Sequence, residues 1–147
     1  MQLVEEDVAQ RGLQCFKSQE LANLVWALAK ADYPVTTFLD LVEADVLRRD
    51  LSAFQPQELS NLVWAFATAG RRSEALFRAV EDEIIARGMT RFKSQELANT
   101  AWAYAKISFE APRLFDALQL ELLASRNLRS FIPQELSNLL WSYAKMG

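Results

Sequence analysis

Four side-chain types recur together along the chain: two amides, an indole and, in most copies, an ammonium group. In the first copy Gln19, Asn23, Trp26 and Lys30 follow one another at i, i+4, i+7 and i+11. Since an α-helix turns by about 100° per residue, this spacing predicts one stripe along a single helix. Amides hydrogen-bond polar groups, indoles stack on flat rings and lysines neutralise anions. The stripe therefore indicates a binding surface. Its counterparts are Gln57, Asn61, Trp64, Thr68; Gln95, Asn99, Trp102, Lys106; and Gln134, Asn138, Trp141, Lys145.

The stripe belongs to a longer repeated segment that reads F-x-[S/P]-Q-E-L-[A/S]-N-x-x-W-[A/S]-x-A. The copies begin at Phe16, Phe54, Phe92 and Phe131, which are 38, 38 and 39 residues apart. Self-similarity at such a period is typical of solenoids, whose repeats contact mainly their neighbours. We therefore predict an all-α, right-handed α-solenoid built of helical hairpins.

Each repeat is predicted to contain two helices, called helix A and helix B here. Helix A begins near Ser18, Pro56, Ser94 and Pro133, because proline suits a first helical position and a glutamate follows in the first turn. Helix B is predicted at roughly 35–49, 73–87 and 111–125 from its apolar spacing. One slot after each helix B holds Gly12, Asp50, Gly88 and Asn127, where we expect a left-handed residue to end the helix.

The chain is predicted to be one solenoid segment that begins and ends within a repeat. Its parts are a helix B at 1–15, full repeats at 16–53, 54–91 and 92–130, and a helix A at 131–147. Complete solenoids normally end in capping repeats with a polar outer face. We therefore expect either a part of a longer array or a protein that associates with itself at its ends.

Composition excludes several classes of function. Among 147 residues there is no histidine and one cysteine, Cys15, so the usual general base and the usual metal ligands are lacking. We expect no enzyme activity, no metal and no cofactor. No apolar run is long enough for a transmembrane helix, and residues 1–7 resemble neither a signal nor a transit peptide. With a net charge of −3, any contact with nucleic acid must depend on a local surface.

Each element of the stripe also has a structural interpretation. The tryptophans lie among alanines and could pack repeat against repeat, and the asparagines could bind loop carbonyls of a neighbouring unit. Residues that are identical in every repeat could contact only the repeating backbone of a ligand, since they cannot distinguish one ligand unit from the next. Selectivity would then depend on slots that vary between copies. Four slots vary, and the better candidates among them are Lys17/Gln55/Lys93/Ile132 and Lys30/Thr68/Lys106/Lys145, because Leu28 and Phe66 in another slot resemble core residues.

Arginines gather where each helix B ends. They suit the negative end of a helix, or they form a basic rim that a phosphate backbone could follow. Arg11, Arg48 and Arg126 belong to this group, besides those in the binding set below. The candidate binding residues are Lys17, Asn23, Lys30, Arg49, Asn61, Arg87, Arg91, Lys93, Asn99, Lys106, Arg129, Asn138 and Lys145.

The motif Q-E-L-[A/S]-N-x-x-W-[A/S]-x-A at this period resembles the octotricopeptide repeats of algal organelle proteins. It is also similar to repeats of FAST-kinase-like and RAP-domain proteins and of RNA-editing substrate-binding complex proteins. Residues 16–30, 54–68, 92–106 and 131–145 carry the resemblance. It implies an α-solenoid that binds single-stranded RNA in a mitochondrion or chloroplast and serves RNA maturation, stability or translation. Other proteins of an organellar ribonucleoprotein complex are further partners that it implies, and no membrane is expected.

The alternative is a protein–protein interaction scaffold of the armadillo or HEAT kind. The acidic net charge favours the scaffold, whereas the sorted basic residues and the resemblance favour RNA.

Overall fold

The computed structural model describes residues 2–34, 36–124 and 127–147. Within these residues the chain forms eight α-helices and two short 3₁₀ turns, and no strand occurs among them. The 3₁₀ turns span Leu51–Ala53 and Leu128–Ser130. The helices are α1 (Gln2–Arg11), α2 (Ser18–Lys30), α3 (Thr36–Arg48), α4 (Pro56–Thr68), α5 (Glu74–Arg87), α6 (Ser94–Lys106), α7 (Pro112–Ala124) and α8 (Pro133–Met146).

Every helix A begins at its predicted residue, because a glutamate three positions after the N-cap fixes the start. The Lys17 N–H donates to Glu20 Oε2 at 2.8 Å, and the equivalent bonds in α4, α6 and α8 measure 2.9, 2.7 and 2.9 Å. Each carboxylate satisfies one free N–H at the positive helix end. The slot that follows helix A takes positive φ in every copy, at Asp32, Gly70, Ser108 and Gly147.

The slot after helix B behaves in two ways, so the prediction of a left-handed residue there was only half right. Gly12 and Gly88 have φ of 79° and 76°. Asp50 and Asn127 are extended instead, with φ of −77° and −86°. Their side-chain oxygens accept the backbone N–H two residues on, at 3.0 Å, and thereby cap the two 3₁₀ turns. Glycine permits positive φ without a steric penalty, whereas Asp and Asn gain this local hydrogen bond instead.

The helices form two layers. Helices A (α2, α4, α6, α8) pack side by side in chain order, and helices B (α1, α3, α5, α7) form the second row. Buried alanines such as Ala65, Ala98 and Ala101 let neighbouring helices A approach closely. The core between the layers holds large side chains, including Phe66 and Phe77, which are fully buried. Each helix A therefore contacts the helix A one repeat away, which aligns equivalent residues.

Polar contacts join the layer of helices A to the layer of helices B, and they also join successive repeats on the helix B side. The buried Tyr104 hydroxyl on α6 donates to the Phe77 carbonyl on α5 at 2.5 Å, and burial raises the pKa of Tyr104 well above its usual value. On the helix B surface, Arg71 pairs with Asp40 at 2.6 Å and with Glu43 at 3.0 Å. Successive repeats are thus joined by charged as well as apolar contacts.

Candidate nucleic-acid interface

Stacking of the four helices A turns the stripe into four parallel rows, which we call the A-helix face. The glutamine row lies nearest the helix starts and is exposed in all four copies. The asparagine row comes next, with Asn23 exposed and Asn61, Asn99 and Asn138 half-buried. The tryptophan row and then the row of Lys30, Thr68, Lys106 and Lys145 complete the face. The structure therefore brings the predicted amide and lysine residues of helix A onto one surface.

The side-chain amides of this face have unused hydrogen-bonding capacity. Within the described part of the chain, no side-chain hydrogen bond is made by Asn23, Asn61, Asn99 or Asn138. The loop-carbonyl role considered for these asparagines is therefore not one that the described residues display. A side-chain amide offers two hydrogen-bond donors and one acceptor, so each of the four asparagines can hydrogen-bond a ligand.

A polar cleft of about 210 Å³ opens in the middle of the A-helix face. It crosses α2, α4 and α6, and its walls combine amides with one indole and one lysine. The lining residues are Asn23, Trp26, Gln57, Ser60, Asn61, Lys93, Gln95, Glu96 and Asn99.

The tryptophans form a continuous ladder along the face. Successive ring centroids lie 6.0, 6.2 and 6.5 Å apart, with the planes tilted by 38°, 30° and 33°. These values lie within the range of direct aromatic pairs. A base inserted between two indoles would have to lie about 3.4 Å from each ring. The observed distances between neighbouring indoles are too short for this, so no base fits between them. Since the indoles are only half-buried or, at Trp141, exposed, a ligand can still contact the outer surface of the ladder.

Lysines flank the ladder on the side where the helices end. Lys30 Nζ lies 4.6 Å from the centre of the Trp26 ring, and Lys145 Nζ lies 5.1 Å from that of Trp141. Cation–π attraction holds these ammonium groups next to the indoles. Lys145 also donates to the Lys106 carbonyl at 3.2 Å. Lys30, Lys106 and Lys145 thus line this edge of the A-helix face.

The opposite edge has mixed charge. Lys17 and Lys93 are exposed at the N-caps of α2 and α6, but the capping carboxylates of Glu20 and Glu96 lie directly beside them. The helix starts already bind these internal anions, which leaves them less suited to a phosphate. A polyanion would meet more favourable charge along the Lys30–Lys145 edge.

Arg49 and Arg87 contact the protein's own loops. Arg49 donates to the carbonyls of Phe16 and Leu13, both at 2.8 Å, and pairs with Asp45 at 2.6 Å. Arg87 repeats this pattern with Phe54 at 2.6 Å, Leu51 at 2.9 Å and Glu83 at 2.6 Å. These loop-bridging arginines have side chains only about one-fifth exposed.

The remaining arginines of the predicted rim are solvent-accessible where they are described. Arg91 and Arg129 are exposed in the loops that lead into α6 and α8. Arg126 lies outside the described residues. Part of the predicted basic rim, namely Arg49 and Arg87, therefore stabilises the protein's own loops. The sequence does contain a signal for the bridge: Arg11, Arg49 and Arg87 recur at 38-residue intervals, each four residues after a carboxylate.

Among the residues that the structure describes, no group of three or more Cys, Asp or Glu side chains is placed to hold a metal ion. None of the described helices is both long and apolar enough to cross a membrane.

The two rows of helices and the repeated A-helix face define an all-α helical repeat protein. The sequence matches the family described as "Protein of unknown function (DUF1601)" over residues 2–25, 71–100 and 111–140. These segments cover more than half of the chain, and the chain belongs to this family. Each matched segment runs from a helix B through the following loop into the first half of a helix A. No curated protein matches the chain.

Proposed function

We propose that the A-helix face binds single-stranded RNA. The observation that carries the proposal is the row of asparagine amides, which have no side-chain hydrogen bond among the described residues and which lie beside indoles and lysines across four helices. The resemblance to octotricopeptide repeats supports the same ligand. It also extends the proposal to a right-handed superhelix that acts in RNA maturation, stability or translation in a mitochondrion or chloroplast.

The charge along the face suggests how the RNA lies. Phosphates would follow Lys30, Lys106 and Lys145, because the capping glutamates make the other edge less favourable for anions. Bases would then point towards the asparagine row, whose amides offer donors and acceptors to base edges. The tryptophan ladder lies between these rows and would contact sugars and base faces along its exposed surface.

The proposal does not require the loop-bridging arginines. Their guanidinium groups already donate to loop carbonyls and carboxylates, and exposing them to RNA would break these bonds. RNA contacts by Arg49 and Arg87, and by the exposed Arg91 and Arg129, stay predictions that the same binding assay can address.

The test is a fluorescence anisotropy titration with a labelled single-stranded RNA at several salt concentrations. Affinity should fall with salt, because each neutralised phosphate contributes about −0.7 to the log–log slope. Changing both Lys30 and Lys106 to Gln should reduce the slope by about 1.4. Changing Asn61 and Asn99 to Ala should weaken binding and leave the slope unchanged, because uncharged contacts release no counterions.

The matched control changes Arg11 and Arg48 to Gln. Both side chains are about two-thirds exposed at the ends of helices B, away from the A-helix face. The control should bind RNA with the wild-type slope. An equal loss of slope in the control and in the lysine variant would instead place the phosphates along the basic rim.

A protein-binding scaffold is the second candidate. It is favoured by exposed leucines on the outer surface of α7, where Leu120 and Leu123 are 66% and 77% exposed. An absence of RNA binding even at low salt would favour this alternative.

A further inference from the structure

The A-helix face presents the same groups at every step of the array. The glutamine, asparagine and tryptophan of the motif are identical in all four copies, and the stacked helices A align each type in a row. A uniform row cannot distinguish one ligand unit from the next, so it can contact bases selectively only where the bases are themselves uniform. The rows therefore fit either a repeating sugar–phosphate backbone or a run of one base.

The chemistry of a side-chain amide favours one base for such a run. An amide places an N–H donor beside a carbonyl acceptor. On the Hoogsteen edge adenine alone offers the matching pair, since its amino group N6 donates and its ring nitrogen N7 accepts. Guanine presents two acceptors there, cytosine one donor and uracil one acceptor. Every base offers a donor beside an acceptor on its Watson–Crick edge, so adenine is the base that an amide can bind with two hydrogen bonds from either edge.

The polar cleft of the A-helix face contains the groups that suit adenine. Asn61 and Asn99 line it, and neither makes a side-chain hydrogen bond to the described residues. Trp26 forms part of the wall, and aromatic side chains stack on the faces of bases. No arginine, which is the usual two-bond partner of guanine, is among the described residues that line the cleft. The carboxylate of Glu96 already accepts the Lys93 N–H, so the amides are the groups left to contact a base.

We propose that the asparagine row binds a run of adenines in single-stranded RNA. Each amide accepts from the 6-amino group of one base and donates to a neighbouring ring nitrogen. This inference rests on the proposed function, because it specifies which bases the RNA-binding face prefers. It gives the invariant residues a part in selectivity, in addition to the slots that vary between copies.

The first test compares short labelled runs of adenine, uracil and cytosine nucleotides by fluorescence anisotropy at low salt. The adenine run should bind at least about tenfold more tightly than the other two, because a single two-bond contact discriminates by about 5- to 150-fold. A run of purine ribonucleotides, which keeps both rings and all ring nitrogens but lacks the 6-amino group, should lose the same factor. Since this probe can still stack on an indole, its loss of affinity isolates the amide contact.

The second test assigns the preference to the asparagines. In a variant with Asn61→Ala and Asn99→Ala, the ratio of adenine-run to purine-run affinity should fall at least about fivefold. The matched control, Lys30→Gln with Lys106→Gln, should weaken binding of both runs by the same factor, because lysines on the phosphates carry no base information. Circular dichroism melts verify folding of both variants. The comparison of the two runs on the wild-type protein stands even if the asparagine variant fails to fold.

The outcomes separate this inference from the proposed function. Equal affinity for the adenine, uracil and cytosine runs, or for the adenine and purine runs, would overturn the adenine preference and leave RNA binding intact. A preference for adenine that persists in the folded asparagine variant would overturn the role of the amides. If no run binds even at low salt, both the inference and the proposed function are wrong.

Discussion

At the residue level, two adjacent arginines at the end of α3 take different roles. Arg48 has a 68% exposed side chain and lies 3.7 Å from Asp45, whereas Arg49 donates to two loop carbonyls and to the same carboxylate. An exposed ion pair contributes little because water screens it, but hydrogen bonds from a charged, mostly buried group contribute more. The role of each of these two arginines therefore depends on how far its side chain is buried, and residue type alone does not reveal it.

This difference predicts unequal effects on stability. Arg49→Gln should lower the free energy of unfolding by about 2 kcal/mol, because two carbonyls and a buried carboxylate lose their donor. Arg48→Gln should change it by no more than about 0.5 kcal/mol. Urea unfolding followed by circular dichroism measures both, and equal midpoints for the two variants would contradict a structural role for Arg49.

The arginine bridge also marks a limit of sequence reasoning. Phe16 and Leu13, whose carbonyls accept from Arg49, lie 33 and 36 residues before it in the chain. Backbone carbonyls leave no trace in residue type, so the sequence displays the repeated arginines and the carboxylate before each of them, but not the carbonyls that they bind. The asparagine row was easier to predict, because its members occupy the same position in each of the four helices A, at a period that the sequence displays directly.

At the level of helices and loops, local chemistry determined what could be predicted. The starts of helices A were predictable because proline or serine and a capping glutamate occupy fixed positions. The loop after helix B was less predictable, because glycine and Asp or Asn reach the same connection by different backbone paths. Which backbone path the loop takes depends on whether a side chain accepts a hydrogen bond from a nearby backbone N–H. The spacing of residue types in the sequence does not specify this.

The tryptophan ladder predicts a graded effect along the four helices A. Trp64 contacts an indole on each side, whereas Trp26 contacts only one. Trp64→Leu should therefore destabilise the protein by about 1 kcal/mol more than Trp26→Leu, since an aromatic pair contributes about 0.5–1.5 kcal/mol beyond buried area. Urea midpoints of the two variants provide the measurement. A larger loss of stability in Trp26→Leu than in Trp64→Leu would mean that contacts between indole rings are not the source of the ladder's stabilising effect.

At the level of the whole molecule, burial is concentrated in the middle of the array. Helix α4 contains eight buried residues, whereas α8 contains only Leu139 and Ser142, and Val8 is the buried residue of the described side chains of α1. In a repeat protein each unit is stabilised mainly by its neighbours, so units with one neighbour open more easily.

Amide hydrogen exchange should follow this gradient. We expect the slowest exchange in α4 and α6, whose neighbours lie on both sides, and the fastest in α1 and α8. Mass spectrometry of peptides from each helix after timed exposure to heavy water gives the profile at low protein concentration. Uniform protection across all eight helices would show that the molecule unfolds as a single cooperative unit.

The contacts between repeats have one more consequence, which concerns how such a chain can change in length. The Arg49 and Arg87 bridges, the Ser60 bond to the Glu96 carbonyl and the Lys145 bond to the Lys106 carbonyl each join residues 33–39 positions apart. Duplicating or deleting one complete period therefore brings together surfaces that already fit. Duplication of one repeat within the gene can thus lengthen this protein, and deletion of one repeat can shorten it, without the need for new interfaces.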